Sequence, residues 1–129
     1  MNDKYIIASK DCRNVAEDGR TVGYELDIRI PYYQGVPLSQ VKYIRVFMDG
    51  AEVPQEDIRV YSTTGEEFKL SEILTVSLFY WEYQTPMRVR VLREDGLGAG
   101  KHRVGVEAAI DVIYVPTGFG GSAFQDFEI

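Results

Sequence analysis

His102 is the sole histidine and Cys12 the sole cysteine of the chain, so acid–base or nucleophilic chemistry has few places to start. A site of several histidines around a metal is impossible, and so is a pair of histidines sharing acid and base work. A serine triad built on His102 would need a nucleophile elbow, and no G-x-S-x-G run occurs. His102 is therefore read as a residue at the start of a strand beside a glycine-rich turn. Cys12 sits among charged neighbours and is expected to be a surface or half-buried thiol rather than a nucleophile. Adjacent acids occur at Glu17-Asp18, Glu56-Asp57, Glu66-Glu67 and Glu94-Asp95. On an extended chain neighbours point to opposite faces, so no doublet makes an acid/base couple by itself, and solvated turn acids are the better account. The run GLGAG at 96–100 leads into strand-like sequence, without the helix N-terminus that holds phosphate.

The positions that remain must be placed by a scaffold, and its period is two. In TVGYELDIRI, Val22, Tyr24, Leu26, Ile28 and Ile30 share one face while Glu25, Asp27 and Arg29 share the other. These acids, with Glu107 and Asp111 further on, are expected on wet outer faces. VKYIRVFM sets Ile44, Val46 and Met48 together, and Asp49-Gly50 follows as a tight hairpin turn. DIRVYS and EEFKL flank Thr64-Gly65 as a second hairpin. LSEILT has room for a single helical turn, with Ser71 as its cap. PMRVRVLRE places Met87, Val89 and Val91 on one side. KHRVGVEAAIDVIYVP is the longest alternating run, with Val104, Val106, Ala108, Ile110, Val112 and Tyr114 inward and Pro116 as its end. Short alternating strands with turn signals between them predict an all-β fold, an antiparallel β-sandwich with at most one short helix.

The 129 residues suit one domain, residues 1–129, with 45% hydrophobic and 26% charged residues, a globular balance. The net charge of −6, with lysines and arginines scattered, leaves no basic stripe for nucleic acid. The start, MNDKYIIASKDC, has no apolar run of signal or spanning length, and the single cysteine permits no intrachain disulfide, so a cytoplasmic location with no membrane is expected. The Gly/Phe-rich tail, residues 117–129, carries Phe119, Phe124, Phe127 and Ile129, and so is expected to dock on the domain itself or on a partner.

The aromatics carry more information. PYYQG and LFYWEY are dense clusters. In LFYWEY, alternation sends Leu78, Tyr80 and Glu82 one way and Phe79, Trp81 and Tyr83 the other, which leaves no wholly polar face. Such a strand needs cover on both sides, from its own domain or a second chain. Tyrosine joins apolar area to a hydroxyl at little entropic cost and recurs at interfaces.

RIPYYQGVPLSQV, VFMDGAEVP, WEY, GLGAGKHRVGVE and IYVP, in this order over about residues 20 to 116, resemble the small β subunit of bacterial C-glycoside deglycosidases. That resemblance implies a β-sandwich paired with a larger α subunit, a TIM barrel similar to sugar-phosphate isomerases. It implies a complex that cleaves the carbon–carbon bond between a 3-oxo-glucosyl group and a flavonoid-type aglycone. A divalent metal, manganese, and the histidine base would belong to the α chain, so no cofactor and no catalytic residue is assigned to this one. Tyr32, Tyr33, Gln34, Trp81, Phe119 and Phe124 are the expected partner-contacting residues. The competing expectation is a stand-alone carbohydrate-binding sandwich whose exposed tyrosines or Trp81 stack on sugar rings. A purely structural oligomer subunit is the third.

Overall fold

A computed structural model describes residues 6–8, 12–31, 35–76, 78–83, 85–112 and 115–129. Among the described residues eleven strands follow one another: β1 (Arg13–Glu17), β2 (Arg20–Ile28), β3 (Val36–Pro37), β4 (Val41–Met48), β5 (Ala51–Glu52), β6 (Ile58–Tyr61), β7 (Glu67–Lys69), β8 (Tyr80–Trp81), β9 (Met87–Leu92), β10 (Lys101–Val112) and β11 (Val115–Glu128). They form a five-stranded sheet, β1-β2-β9-β6-β7, a four-stranded sheet, β11-β10-β4-β5, and a small ribbon of β3 and β8. Every pairing is antiparallel. The fold is all-β, as the alternation predicts. No helix among the described residues is long and apolar enough to cross a membrane.

The two larger sheets face each other through one core. The first contributes Tyr24, Leu26, Ile28, Ile58, Val60, Val89 and Val91, and the second Ile44, Val46, Met48, Val104, Val106, Ala108, Ile110, Ala123 and Phe127. These are the inward positions of the period-two runs, brought opposite one another at the spacing of packed sheets. The turns are built as their residues require. Asp18-Gly19 and Asp49-Gly50 both have positive φ at each residue, 52° and 76° in the first and 52° and 88° in the second. That is the twist-matched two-residue hairpin, joining Glu17 to Arg20 and Met48 to Ala51.

Three local expectations need correction, and the tail takes a definite place. LSEILT contains a 3-10 turn, Ile73–Thr75, whose capping position is Glu72 rather than Ser71. The last alternating run does not extend to Pro116, because β10 ends at Val112 and Pro116 lies near the start of β11, an edge strand that tolerates a missing N–H. The tail is that strand, paired along β10 from Lys101↔Glu128 to Val112↔Val115. Glu25, expected on a wet face, is 5% exposed.

Glu25 is on the outer face as its parity demands, yet three arginines from the two neighbouring strands, β1 and β9, cover it. Arg13 lies 2.8 Å from its Oε1, Arg88 3.6 Å from the same oxygen and Arg90 3.4 Å from Oε2. Arg90 also reaches Glu17 at 3.0 Å and stacks 5.2 Å from the Tyr61 ring centre, and Arg88 meets Asp27 at 3.3 Å. The outer face of the five-stranded sheet is thus a closed ionic lattice with Glu25 at its centre. Glu25→Gln would leave three guanidinium groups around a neutral amide and should lower stability by roughly 1–3 kcal/mol in urea denaturation. An unchanged midpoint would show the lattice to be energetically idle.

Candidate functional site

Each chemically suggestive residue has a structural role. Cys12 is 3% exposed, a correction to the half-buried thiol expected, and burial pushes its thiol up to about 11, with Arg13 pulling the other way and Glu25 adding to the rise. A thiol so poised is inert at neutral pH. His102 clamps two loops at the start of β10. Its Nδ1–H donates to Asp49 Oδ2 at 2.7 Å and its Nε2–H to the Gly98 carbonyl oxygen at 2.7 Å, while the Arg103 amide donates to Asp49 Oδ1 at 2.8 Å. With an acceptor facing each ring nitrogen, both contacts are satisfied only by the doubly protonated ring, so the pair of contacts favours the imidazolium. The Asp49 hydrogen bond first, and the Gly98 carbonyl second, raise the histidine above its ordinary value, and the same contact with His102 lowers Asp49.

Among the described residues no three His, Cys, Asp or Glu side chains converge as metal ligands. A cleft of about 530 Å³ beside β4 has Val41, Ile44 and Ile73 among its walls with Lys42, Arg59 and Lys69.

What the molecule does present is a face. On the outer side of the four-stranded sheet, register assembles rows from β4, β10 and β11. Phe47 pairs with Gly105 and Gly105 with Phe124; Arg45 with Glu107 and Glu107 with Ser122; Tyr43 with Ala109 and Ala109 with Gly120. Gly105 is what lets the first row close. A Cβ there would lie 2.2 Å from the Phe124 ring, so the ring drops into the glycine's place and comes within 6.2 Å of Phe47. Arg103 stacks 5.5 Å from the Phe124 centre and Arg45 4.1 Å from that of Tyr43, and Arg45 meets Glu107 at 3.4 Å. Phe124 is nevertheless 48% exposed. Aromatics and arginines over small residues, with Glu107 and Asp126 already met by Arg45 and Arg103, have the composition of a protein-binding surface.

The sequence-chosen positions divide. Phe124 is on this face. Phe119 lies on β11, opposite Ile110. Tyr32, Tyr33 and Gln34 fall outside the described residues, between a buried Pro31 and the buried Val36. Trp81 is a correction: it is wholly buried, a core residue with nothing to offer a partner, and its indole N–H meets no acceptor among the described residues. Elsewhere in LFYWEY, Leu78 is 88%, Tyr80 46% and Tyr83 43% exposed. Tyr43, Arg45 and Phe47 were missed, because Phe47 becomes part of a surface only when Gly105 and Phe124 arrive from far along the chain.

Comparison with known proteins fits a chain built to bind. The family model described as C-glycoside deglycosidase beta subunit matches residues 2–114. The chain belongs to that family. A relative from Eubacterium cellulosolvens, named C-glycoside deglycosidase beta subunit, is 28% identical over 115 residues, 88% of this chain and 78% of the relative. The family match contains β1 to β10, with Tyr43, Phe47 and Gly105, and stops before β11.

Two expectations follow. Trp81→Ala should cost about 3–5 kcal/mol in urea denaturation, whereas Phe124→Ala should cost less than about 1 kcal/mol; equal losses would mean that Phe124 is core. For His102, a raised folded value means that its contribution is complete below the ordinary value near 6.5 and disappears as pH rises through the folded one. The stability gap between wild type and His102→Gln should therefore be full at mildly acid pH and shrink in alkali. A gap that grows with pH would refute the clamp.

Proposed function

We propose that this chain is the non-catalytic β subunit of a C-glycoside deglycosidase and docks its Tyr43–Phe47–Phe124 face on a larger catalytic α subunit. The single observation that carries this reading is the contrast between the two outer sheet faces. One is an ionic lattice around Glu25, and the other carries an exposed Phe124 against a half-buried Phe47, with two arginines stacked on its rings. A lattice whose charges are already paired gains little from a partner, whereas desolvating rings and stacked guanidiniums does.

In this reading the α subunit is a TIM barrel similar to sugar-phosphate isomerases, and the complex works in the cytoplasm. It cleaves the carbon–carbon bond of 3-oxo-C-glucosides of flavonoid-type aglycones, which makes it a carbon–carbon lyase. Proton removal beside a carbonyl needs a placed base, and a divalent cation such as manganese supplies the Lewis acid that steadies the developing oxyanion. Both belong to the α subunit. This chain contributes shape and apolar area, and by itself does not turn over substrate. The alternative of a free-standing sugar-binding module loses its strongest platform, since Trp81 is inaccessible.

The test is co-purification with the α subunit. Phe47→Glu combined with Phe124→Glu should abolish capture and reduce turnover of the mixture to that of the α subunit alone, while the variant keeps a wild-type circular dichroism spectrum. Glu17→Gln, on the opposite face, should bind normally. Full capture by the double variant, or turnover by the isolated chain, would refute the assignment.

A further inference from the structure

The four-stranded sheet ends in β11, and that edge differs from the other edges of the two larger sheets. The edge strands β1, β5 and β7 are short and each carries at least one charge: Arg13 and Glu17, Glu52, and Glu67 and Lys69. Charge and brevity are the ordinary protections against another strand adding on. β11 has 14 residues, and from Pro116 to Gln125 it has no charge at all. Its one register shift is confined to the hairpin end, between Ile110 and Val112 of β10, so the rest of the ladder is regular.

The ladder also tells which groups are free. Ile129 and Gly100 exchange both backbone bonds, and pairing alternates from there. His102↔Phe127, Val104↔Gln125, Val106↔Ala123 and Ala108↔Gly121 are the hydrogen-bonded pairs. The N–H and C=O groups of the even residues Gly118, Gly120, Ser122, Phe124 and Asp126 therefore point to the other side, where no described strand lies.

We propose that this edge is occupied by the same edge of a second copy of the chain, two β11 strands running antiparallel about a two-fold axis at Gly121. The pairing is self-complementary, as an isologous contact must be. That axis sets Ser122 against Gly120 and Phe124 against Gly118, so the large ring lies beside a residue with no side chain, and each pair exchanges two backbone bonds. Charge selects this edge too. A chain of net charge −6 repels its copy, and the neutral stretch of β11 is a place where two copies can meet without opposing acids. Asp126 and Glu128 of the two chains go to opposite ends of the contact. The outer face with Phe47 remains open on both copies, so two catalytic subunits fit on one continuous eight-stranded sheet.

Sedimentation of the full chain, alone and in complex with the α subunit, should give a mass containing two copies of this chain, dissociating on dilution when alone. Ser122→Pro removes an N–H that β10 does not use, and Ser122→Lys adds a charge at the axis. Both should sediment as single copies with unchanged circular dichroism, and Ser122→Ala should stay dimeric; if the proline variant misfolds, the lysine variant decides. Amides of Gly118, Gly120, Ser122 and Phe124 should exchange more slowly as concentration rises. A wild-type chain present as one copy under all these conditions, a dimer indifferent to both variants, or slowing of those amides only when the α subunit is added would each overturn the proposal. The first result with binding of the α subunit intact would leave the docking face standing.

Discussion

Side chains alternate along β10, and that strand is hydrogen-bonded on both edges, to β4 on one side and β11 on the other. These two facts together decide how the molecule is used. Val104, Val106, Ala108 and Ile110 must point inward, because the core has no other filling at the centre of that sheet. Gly105, Glu107 and Ala109 must then point outward, and they are small or paired. The outer surface at the middle of the sheet is consequently low, and the flanking strands raise it with Phe47 and Tyr43 on one side and Phe124 on the other. A one-residue slip of β10 would send the valines to solvent and destroy the core and the aromatic face at once.

The division between the two outer faces follows from the same constraint applied to different residues. On the five-stranded sheet the outward positions of β1, β2 and β9 are acids and arginines in register, Arg13 against Glu25, Glu25 against Arg90 and Asp27 against Arg88. Charges so placed satisfy one another and shield Glu25 from water. On the four-stranded sheet the outward residues include rings, glycines and two arginines that stack on Tyr43 and Phe124 while also meeting Glu107 and Asp126. In the proposed reading this asymmetry has a purpose, since a β subunit needs one surface that stays in water and another that a partner subunit covers.

Much of this was legible in the chain. β2, β4, β9 and β10 follow from period-two patterning, and Asp49-Gly50 from its demand for positive φ. Asp18-Gly19 is the same dipeptide, and attention to it would have revealed β1. What patterning cannot supply is contact between distant segments. Glu25 reads as a solvated acid because its burial depends on arginines at positions 13, 88 and 90, two of them far along the sequence. Trp81 reads as a surface aromatic because its neighbours in LFYWEY are exposed, and only the β3–β8 ribbon, pairing it with Val36, turns it inward. β11 looked like a tail because glycines and Pro116 weaken every local signal for a strand, while its partner, β10, is strong enough to order it. Phe47, Gly105 and Phe124 form one row from three separate strands.

The central claim is that the aromatic outer face, and not the ionic one, meets the catalytic subunit. Hydroxyl-radical footprinting of this chain alone and in complex with that subunit reads both faces in a single sample. Tyr43, Phe47 and Phe124 should lose most of their oxidation on complex formation while Tyr61, beside Arg90 on the opposite sheet, keeps its own. Protection of Tyr61 with Phe47 and Phe124 still fully oxidised would contradict the account.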